Sequence, residues 1–298
     1  PYLSFFARAL QPAEYLATFL VSPNPLLLFS VGSFVQEHGL RPDGRKADEA
    51  RPVTVNTGSV STADGSALVR MGGTLVTCGV KAELSNPPVE SGDCGYLVCN
   101  VDLPPLCSPR VTPGPPTPRG QSLSQHLQDT LISCRCVDVK DLIVGQDNLC
   151  WVLYLDVVCL CDNGNVRDAV FFAATAALRN TSLPTVDVSS GSPEVSYQQR
   201  HPLSLPHLPL AISYSLFESH ILLDPFHEEE ELSSGHVSVV VLSHLKMGQP
   251  DCKLIGGLTK SGPPSLPSQK LIELVHRAQK RARLLADLLL TASGDKKT

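Results

Sequence analysis

Between Arg41 and Glu83 the chain repeats one device: a run of alternating apolar and polar residues, then two or three residues suited only to a tight turn. Val76, Cys78, Val80 and Ala82 alternate with Thr77, Gly79, Lys81 and Glu83. That period of two gives a strand one buried face and one wetter face. Ala63-Asp64-Gly65 and Gly72-Gly73 supply hairpin turn chemistry, so three strands are predicted, Val53 to Val60, Ser66 to Met71 and Thr74 to Glu83. Ahead of them Arg41-Pro42-Asp43-Gly44-Arg45 reads as a rigid turn carrying two exposed cations, because Pro fixes one backbone angle and Asp-Gly accepts a sharp reversal. The 25 prolines fit short strands joined by tight loops and argue against a helical bundle.

The rest of the chain alternates strand and helix patterns. Tyr96 to Val101 is a short strand and Pro104 to Pro118 an extended loop. Leu123, Leu127, Leu131 and Cys134 recur at helical spacing. Leu149 to Cys161 is apolar except for Asp156 and reads as a central strand covered on both faces. Asp162-Asn163-Gly164-Asn165 turns the chain, and Asp168 is placed as the N-cap of a helix from Ala169 to Arg179 that Asn180 and Pro184 stop. Pro202 to Pro209 reads as loop, Leu210 to Leu216 and Ile221 to Asp224 as a hairpin, and Val237 to Leu242 and Cys252 to Ile255 as further strands. The last helix opens at Ser268, placed as its cap, and buries Leu271, Leu274, Val275, Ala278, Ala282, Leu285 and Leu289. Its Lys270, Arg277, Lys280, Arg281 and Arg283 read as a solvated surface in preference to an RNA contact.

Net charge is −5, from 24 basic and 29 acidic residues, so any RNA contact is local or shared with partner chains. The 10 cysteines include Cys134-Arg135-Cys136 and Cys159-Leu160-Cys161 but no pair with two intervening residues. They read as reduced core thiols, Cys159 and Cys161 among them, with no metal site. Pro23 and Pro25 break the apolar run near Leu26 to Phe29, which is too short to span a bilayer; no membrane association is expected.

Arg41 to Arg45, the run Gly58 to Val69 and Gly72-Gly73-Thr74-Leu75-Val76-Thr77-Cys78-Gly79-Val80-Lys81 closely resemble the opening of RNase PH family domains. Asn100-Val101-Asp102-Leu103-Pro104-Pro105-Leu106-Cys107-Ser108 narrows the likeness to the RNase PH-like ring subunits of the eukaryotic RNA exosome. The resemblance implies an α/β (α+β) fold, with two βαβ-containing halves whose mixed sheets are covered by helices. It places the domain at residues 41–293, after a 1–40 segment in which the family's leading helix, Gln11 to Leu20, is followed by about twenty extra residues; residues 294–298 are a tail. It also implies a hetero-hexameric ring with other RNase PH-like subunits, to which edge strands such as Val237 to Leu242 would offer side-by-side pairing, RNA-binding cap subunits, single-stranded RNA in the channel, and residence in nucleus, nucleolus and cytoplasm.

Active relatives cleave RNA by phosphorolysis, which needs a phosphate seat at a helix N-terminus, an acidic pair with a divalent ion, and cations for the RNA backbone. The phosphate seat maps onto Val166-Arg167, where Val166 replaces a hydroxyl residue and Asp168 brings a carboxylate to the anion's place. The acidic pair maps onto Asp224 and Glu230 within Asp224-Pro225-Phe226-His227-Glu228-Glu229-Glu230-Glu231, where Asp is usual at both positions. The run reads as a solvated acidic loop in preference to a Mg²⁺ site. Arg110 and Arg119 are candidates for RNA phosphate contacts, with plain loop charge as the alternative, and His227 and His236 read as isolated surface residues. The resemblance therefore implies vestigial positions Arg167, Asp224 and Glu230, no catalytic residue and no cofactor. The rival reading is a phosphate-dependent 3′ to 5′ exoribonuclease.

Overall fold

The structure is a computed structural model that describes residues 41, 43–86, 94–144, 149–187, 194–217, 221–246, 249–263 and 265–292. The expected leading helix at Gln11 to Leu20 and the Leu26 to Phe29 run lie outside these residues, as does the tail.

Three antiparallel strands found the first sheet: β1 (Val53–Thr57), β2 (Gly65–Met71) and β3 (Thr74–Ser85). β3 then pairs along its length with β6 (Leu149–Cys161), aligning Val76 with Cys159, Cys78 with Val157 and Val80 with Leu155, all fully buried. β4 (Tyr96–Asp102) adds to the far side of β6 in parallel, and the connection between them carries α1 (Pro118–Ser133). Thr117 caps α1 by accepting from Gly120 N, and Pro118 occupies the first turn, where a missing N–H costs nothing. The two-residue β5 (Ile143–Val144) pairs with the start of β6. The sheet order is β1-β2-β3-β6-β4.

α2 (Val166–Arg179) lies between the two sheets, and all of its 14 residues except Arg167 and Arg179 are buried. It packs on β2 and β3 on one side and on β9 (Leu208–Leu216) on the other. Small side chains make that double contact possible: Gly65 in β2 approaches the end of α2 so closely that a Cβ there would stand 2.7 Å from Thr181 Cα and 2.8 Å from the Ala177 carbonyl oxygen. In chain order a separate hairpin, β7 (Ser182–Asp187) with β8 (Glu194–Pro202), connects α2 to the second sheet; the sequence reading left it out because Pro184 signals a stop. Pro184 is accommodated at a register shift of this two-stranded ribbon.

The second sheet has the order β10-β9-β11-β12, with β10 (Ile221–Leu223), β11 (Gly235–Lys246) and β12 (Gln249–Ser261). All its described pairings are antiparallel. β10 and β11 flank β9 and so run parallel to each other, joined through the short helix that follows β10, so each half holds a strand-helix-strand crossover as expected, although only the first sheet pairs two strands in parallel directly. α3 (His227–Leu232) follows β10, and α4 (Ser268–Ala292) covers β9, β11 and β12, burying Leu274, Ala278, Ala282, Leu285, Ala286 and Leu289. Ser268 lies inside the first turn of α4, because the Leu271 N–H bonds to the Pro267 carbonyl (3.1 Å). Of its basic residues, Arg277 pairs with Asp48 and Glu273, and Arg281 donates to the Arg51 carbonyl at 3.1 Å.

Two further expectations change. Val237 to Leu242 lies inside β11, which has neighbours on both sides, so it is not an edge; among the described residues the long edge of this sheet is β12, with the three-residue β10 at the other side. The described cysteines are free thiols and most are buried, but Cys161 is exposed because it lies at the end of β6, past the sheet's cover. Burial pushes the Cys99 and Cys159 thiols up to about 12, which leaves them unreactive as nucleophiles.

Candidate functional site

The turn after β6 and the start of α2 meet the turn after β10 and the start of α3. Gly164, at φ +83°, presses so closely on this junction that a Cβ would lie 2.5 Å from His227 N. Asn165 follows at φ 53° and forms the N-terminal boundary of α2. Asn is among the few residues with a side chain that enter the left-handed region readily. Asp168 is therefore not the cap. It lies in the first turn of α2, points sideways into the protein and accepts from Ser213 N (2.8 Å), Ser213 Oγ (2.6 Å) and Asn165 Nδ2 (2.8 Å).

Asp224 is also turned inward. It is 2% exposed, adopts φ 51° and accepts from Arg51 N (2.8 Å), Nε (3.0 Å) and Nη2 (2.7 Å), and from Asn165 Nδ2 (2.7 Å). Burial alone would raise its pKa, but Arg51 and Asn165 more than offset that and hold the carboxyl at about 2. Asp168 lacks a cationic partner of this kind, and burial lifts it to about 7 against its three donors. Asn165 thus joins two carboxylates with opposite shifts, and Asp224 keeps the charge.

The turn predicted to display two cations instead buries one. Arg41 is 2% exposed, lies 3.5 Å from Glu229 and donates to the Leu223 carbonyl at 2.7 Å. Arg45 reaches Asp224 at 3.5 Å with its side chain 11% exposed. Glu229 is fully buried in α3, where its burial, partly offset by Arg41, raises it to about 7. The run from Asp224 to Glu231 is consequently not a solvated loop: two of its carboxylates are clamps that fasten the entry of the first sheet to the second half.

What faces solvent is a cleft of about 340 Å³ lined by Leu103, Ser108, Arg110, Thr117, Arg119, Asp162, His227, Glu230 and Glu231. The structure brings Arg110, Arg119 and Glu230 together there. Arg119 donates to Asp162 Oδ2 (3.1 Å) and Glu230 Oε2 (3.2 Å), and Arg110 pairs with Glu231. A second hollow of about 230 Å³ opens beyond the Arg119–Glu230 pair, at the start of α2, and includes Arg167, Ser213, Ser122 and His236. Here Glu230 Oε1 accepts the Asn165 N–H at 2.7 Å. The carboxylate at the helix N-terminus thus comes from α3, not from Asp168. Arg167 turns away to Thr259 Oγ1 at 3.1 Å. His236 is half-buried and lies 3.2 Å from Ser215 Oγ, and His227 is likewise part-buried, so neither is a free surface residue.

The 3′ exoribonuclease family, domain 1, matches residues 49–184, and domain 2 of the same family matches residues 207–281. "Exosome complex component rrp43" of Schizosaccharomyces pombe is 34% identical over 213 residues, 71% of this chain and 79% of that protein. The chain belongs to the RNase PH family of 3′ exoribonucleases. "Exosome complex component Rrp42" of Thermococcus gammatolerans is 31% identical over 87% of this chain and 92% of its own length. Among solved structures, an Archaeoglobus fulgidus exosome with RNA bound to the active site superposes with a TM-score of 0.75 at 25% identity, covering 96% of this chain and 99% of that one.

The divalent ion of the family's chemistry does not fit this family member's residues. Both oxygens of Asp224 are taken by Arg51 and Asn165, and both of Glu230 by Asn165 N and Arg119. Among the described residues, no group of three or more His, Cys, Asp or Glu side chains is arranged to hold a metal. Arg51, Asn165, Glu229 and Ser213 are the members of the site that sequence reasoning missed. Only Asn165 carried a local signal, its place after Gly164 in a turn. The others are joined by contacts between distant segments.

Proposed function

We propose that this chain is a catalytically inert subunit of an RNA exosome ring. It holds neighbouring RNase PH-like subunits in place, supports RNA-binding caps and lines the channel through which single-stranded RNA is threaded for 3′ to 5′ processing and degradation, ribosomal RNA maturation included. The likeness to rrp43 and to the A. fulgidus exosome supports the assembly. The loss of chemistry rests on one observation: Glu230 sits on the backbone N–H at the start of α2, where a phosphorolytic enzyme needs inorganic phosphate. Val166 offers no hydroxyl there, and buried Asp224 is engaged by Arg51. This role places the protein in nucleus, nucleolus and cytoplasm.

The test is nucleoside diphosphate release from an RNA 3′ end by the assembled ring in excess phosphate, with the parent chain and with Arg167→Ala. Equal rates are expected. A hundredfold drop with Arg167→Ala, in a ring of unchanged native mass, would instead make the chain a phosphate-dependent exoribonuclease.

A further inference from the structure

Arg110 and Arg119 are the cations between Pro104 and Leu131, and one six-residue helix meets both. Glu231 takes Arg110 and Glu230 takes Arg119, with Asp162 on the other Arg119 nitrogen. Both guanidinium side chains are about half exposed (51% and 46%), so a solute can reach them. The Arg119–Glu230 pair also stands as a bar between the two hollows, since both residues line each of them. Without the bar the hollows form one trough, from Arg110 past Arg119 to Arg167.

We propose that α3 is a built-in competitor for RNA, its Glu230 and Glu231 carboxylates holding Arg119 and Arg110 against the phosphodiesters of a passing strand. The proposal rests on the reading of the chain as a channel-lining subunit and adds the regulation of that surface. The Arg110–Glu231 pair is half exposed on both sides, and Arg119 is half exposed opposite a Glu230 side chain that is 20% exposed; ion pairs that water reaches are weak and screened by salt, whereas a guanidinium binds phosphate through two parallel hydrogen bonds. The pairs therefore exchange: a strand held at high local concentration by the ring displaces the carboxylates, and a free strand in bulk solution does so poorly. Such a surface lets RNA slide through without gripping it. The Oε1 contact to Asn165 N leaves Glu230 anchored while Oε2 gives up Arg119.

The experiment measures binding of fluorescein-labelled oligouridylate to the assembled ring by anisotropy across a salt series. It compares the parent, Glu230→Gln/Glu231→Gln, and that double variant with Arg110→Ala/Arg119→Ala added. Gln keeps an oxygen for the Asn165 N–H. The double variant is expected to bind about three- to tenfold tighter, with a salt slope steeper by roughly 0.7 for Arg110 and by less for Arg119, which Asp162 still holds, and the added Ala changes are expected to abolish the gain. Glu231→Gln alone, at a half-exposed position away from the buried clamps, is expected to give a smaller gain through Arg110 and serves should the double variant fail to assemble. Unchanged affinity, or a gain that survives loss of both arginines, overturns the proposal. A ring that assembles and shows no Arg167-dependent phosphorolysis keeps the proposed function in either case.

Discussion

Asp168 and Asp224 share the Asn165 amide yet respond to pH in opposite directions. Asp168 is lifted by burial from 3.8 to about 7, and Glu229 by burial from 4.5 to about 7, so the folded chain holds protons there that the unfolded chain has released. Their contribution to stability is full below about pH 4 and is lost as pH rises through about 7. Asp224, held at about 2 by Arg51, contributes above about pH 4 and loses that contribution as pH falls through 2. Between pH 5 and 8 the first effect governs this network. The contribution of Asp168 and Glu229 to the unfolding free energy, read from urea titrations, is expected to fall across that range, by at most about 1.4 kcal/mol per pH unit for each proton involved, against an opposite trend from His126, His207 and His236, which burial lowers. Asp168→Asn is expected to flatten the fall, since its amide oxygen can still accept from Ser213 N and its NH₂ can donate to Ser213 Oγ. An unchanged pH profile in that variant would remove Asp168 from the account. At this scale the sequence displayed Asp224, Glu230, Arg110 and Arg119 but not their orientation. Arg41 was read as exposed because a Pro-Asp-Gly turn is usually at the surface, whereas here Glu229 and the Leu223 carbonyl draw it inside.

Strands and helices were more legible, because period-two and helical patterns report which face is apolar. β2, β3, β6 and α4 fall close to their expected places. Neighbour relations were not legible: Val237 to Leu242 is uncharged and apolar enough to be an interior strand, and it is one. The exposed edge β12 instead carries Leu254, Ile255 and Leu258 (54%, 48% and 43% exposed), beside charged Lys253 and Lys260. An apolar edge strand is a template for another chain. Leu254→Glu/Leu258→Glu is therefore expected to leave the far-ultraviolet spectrum and urea midpoint of the isolated chain nearly unchanged. Its share of co-purified ring, read by native mass, is expected to fall at least tenfold. Full incorporation of the variant would exclude β12 as a ring contact.

Across the whole molecule, α2 packs on both sheets while the Arg51–Asp224 and Arg41–Glu229 pairs fasten the entry of the first to the turn that leaves the second. The acidic segment from Asp224 to Glu231 is part of this fastening, with Glu230 and Glu231 left to face the cleft. The family fold was readable from its turn signatures. The arrangement of its site was not, because it depends on where α3 comes to rest against α2, a contact between segments about sixty residues apart in the chain. The most direct measurement is a crystal structure of the assembled ring grown in saturating inorganic phosphate with an RNA 3′ end in the channel. The account predicts Glu230 on the Asn165 N–H and paired with either Arg119 or solvent, with no phosphate at the start of α2. Phosphate bound there by Arg167 and the backbone amides, with Glu230 swung aside and the ion aimed at the RNA terminus, would contradict it.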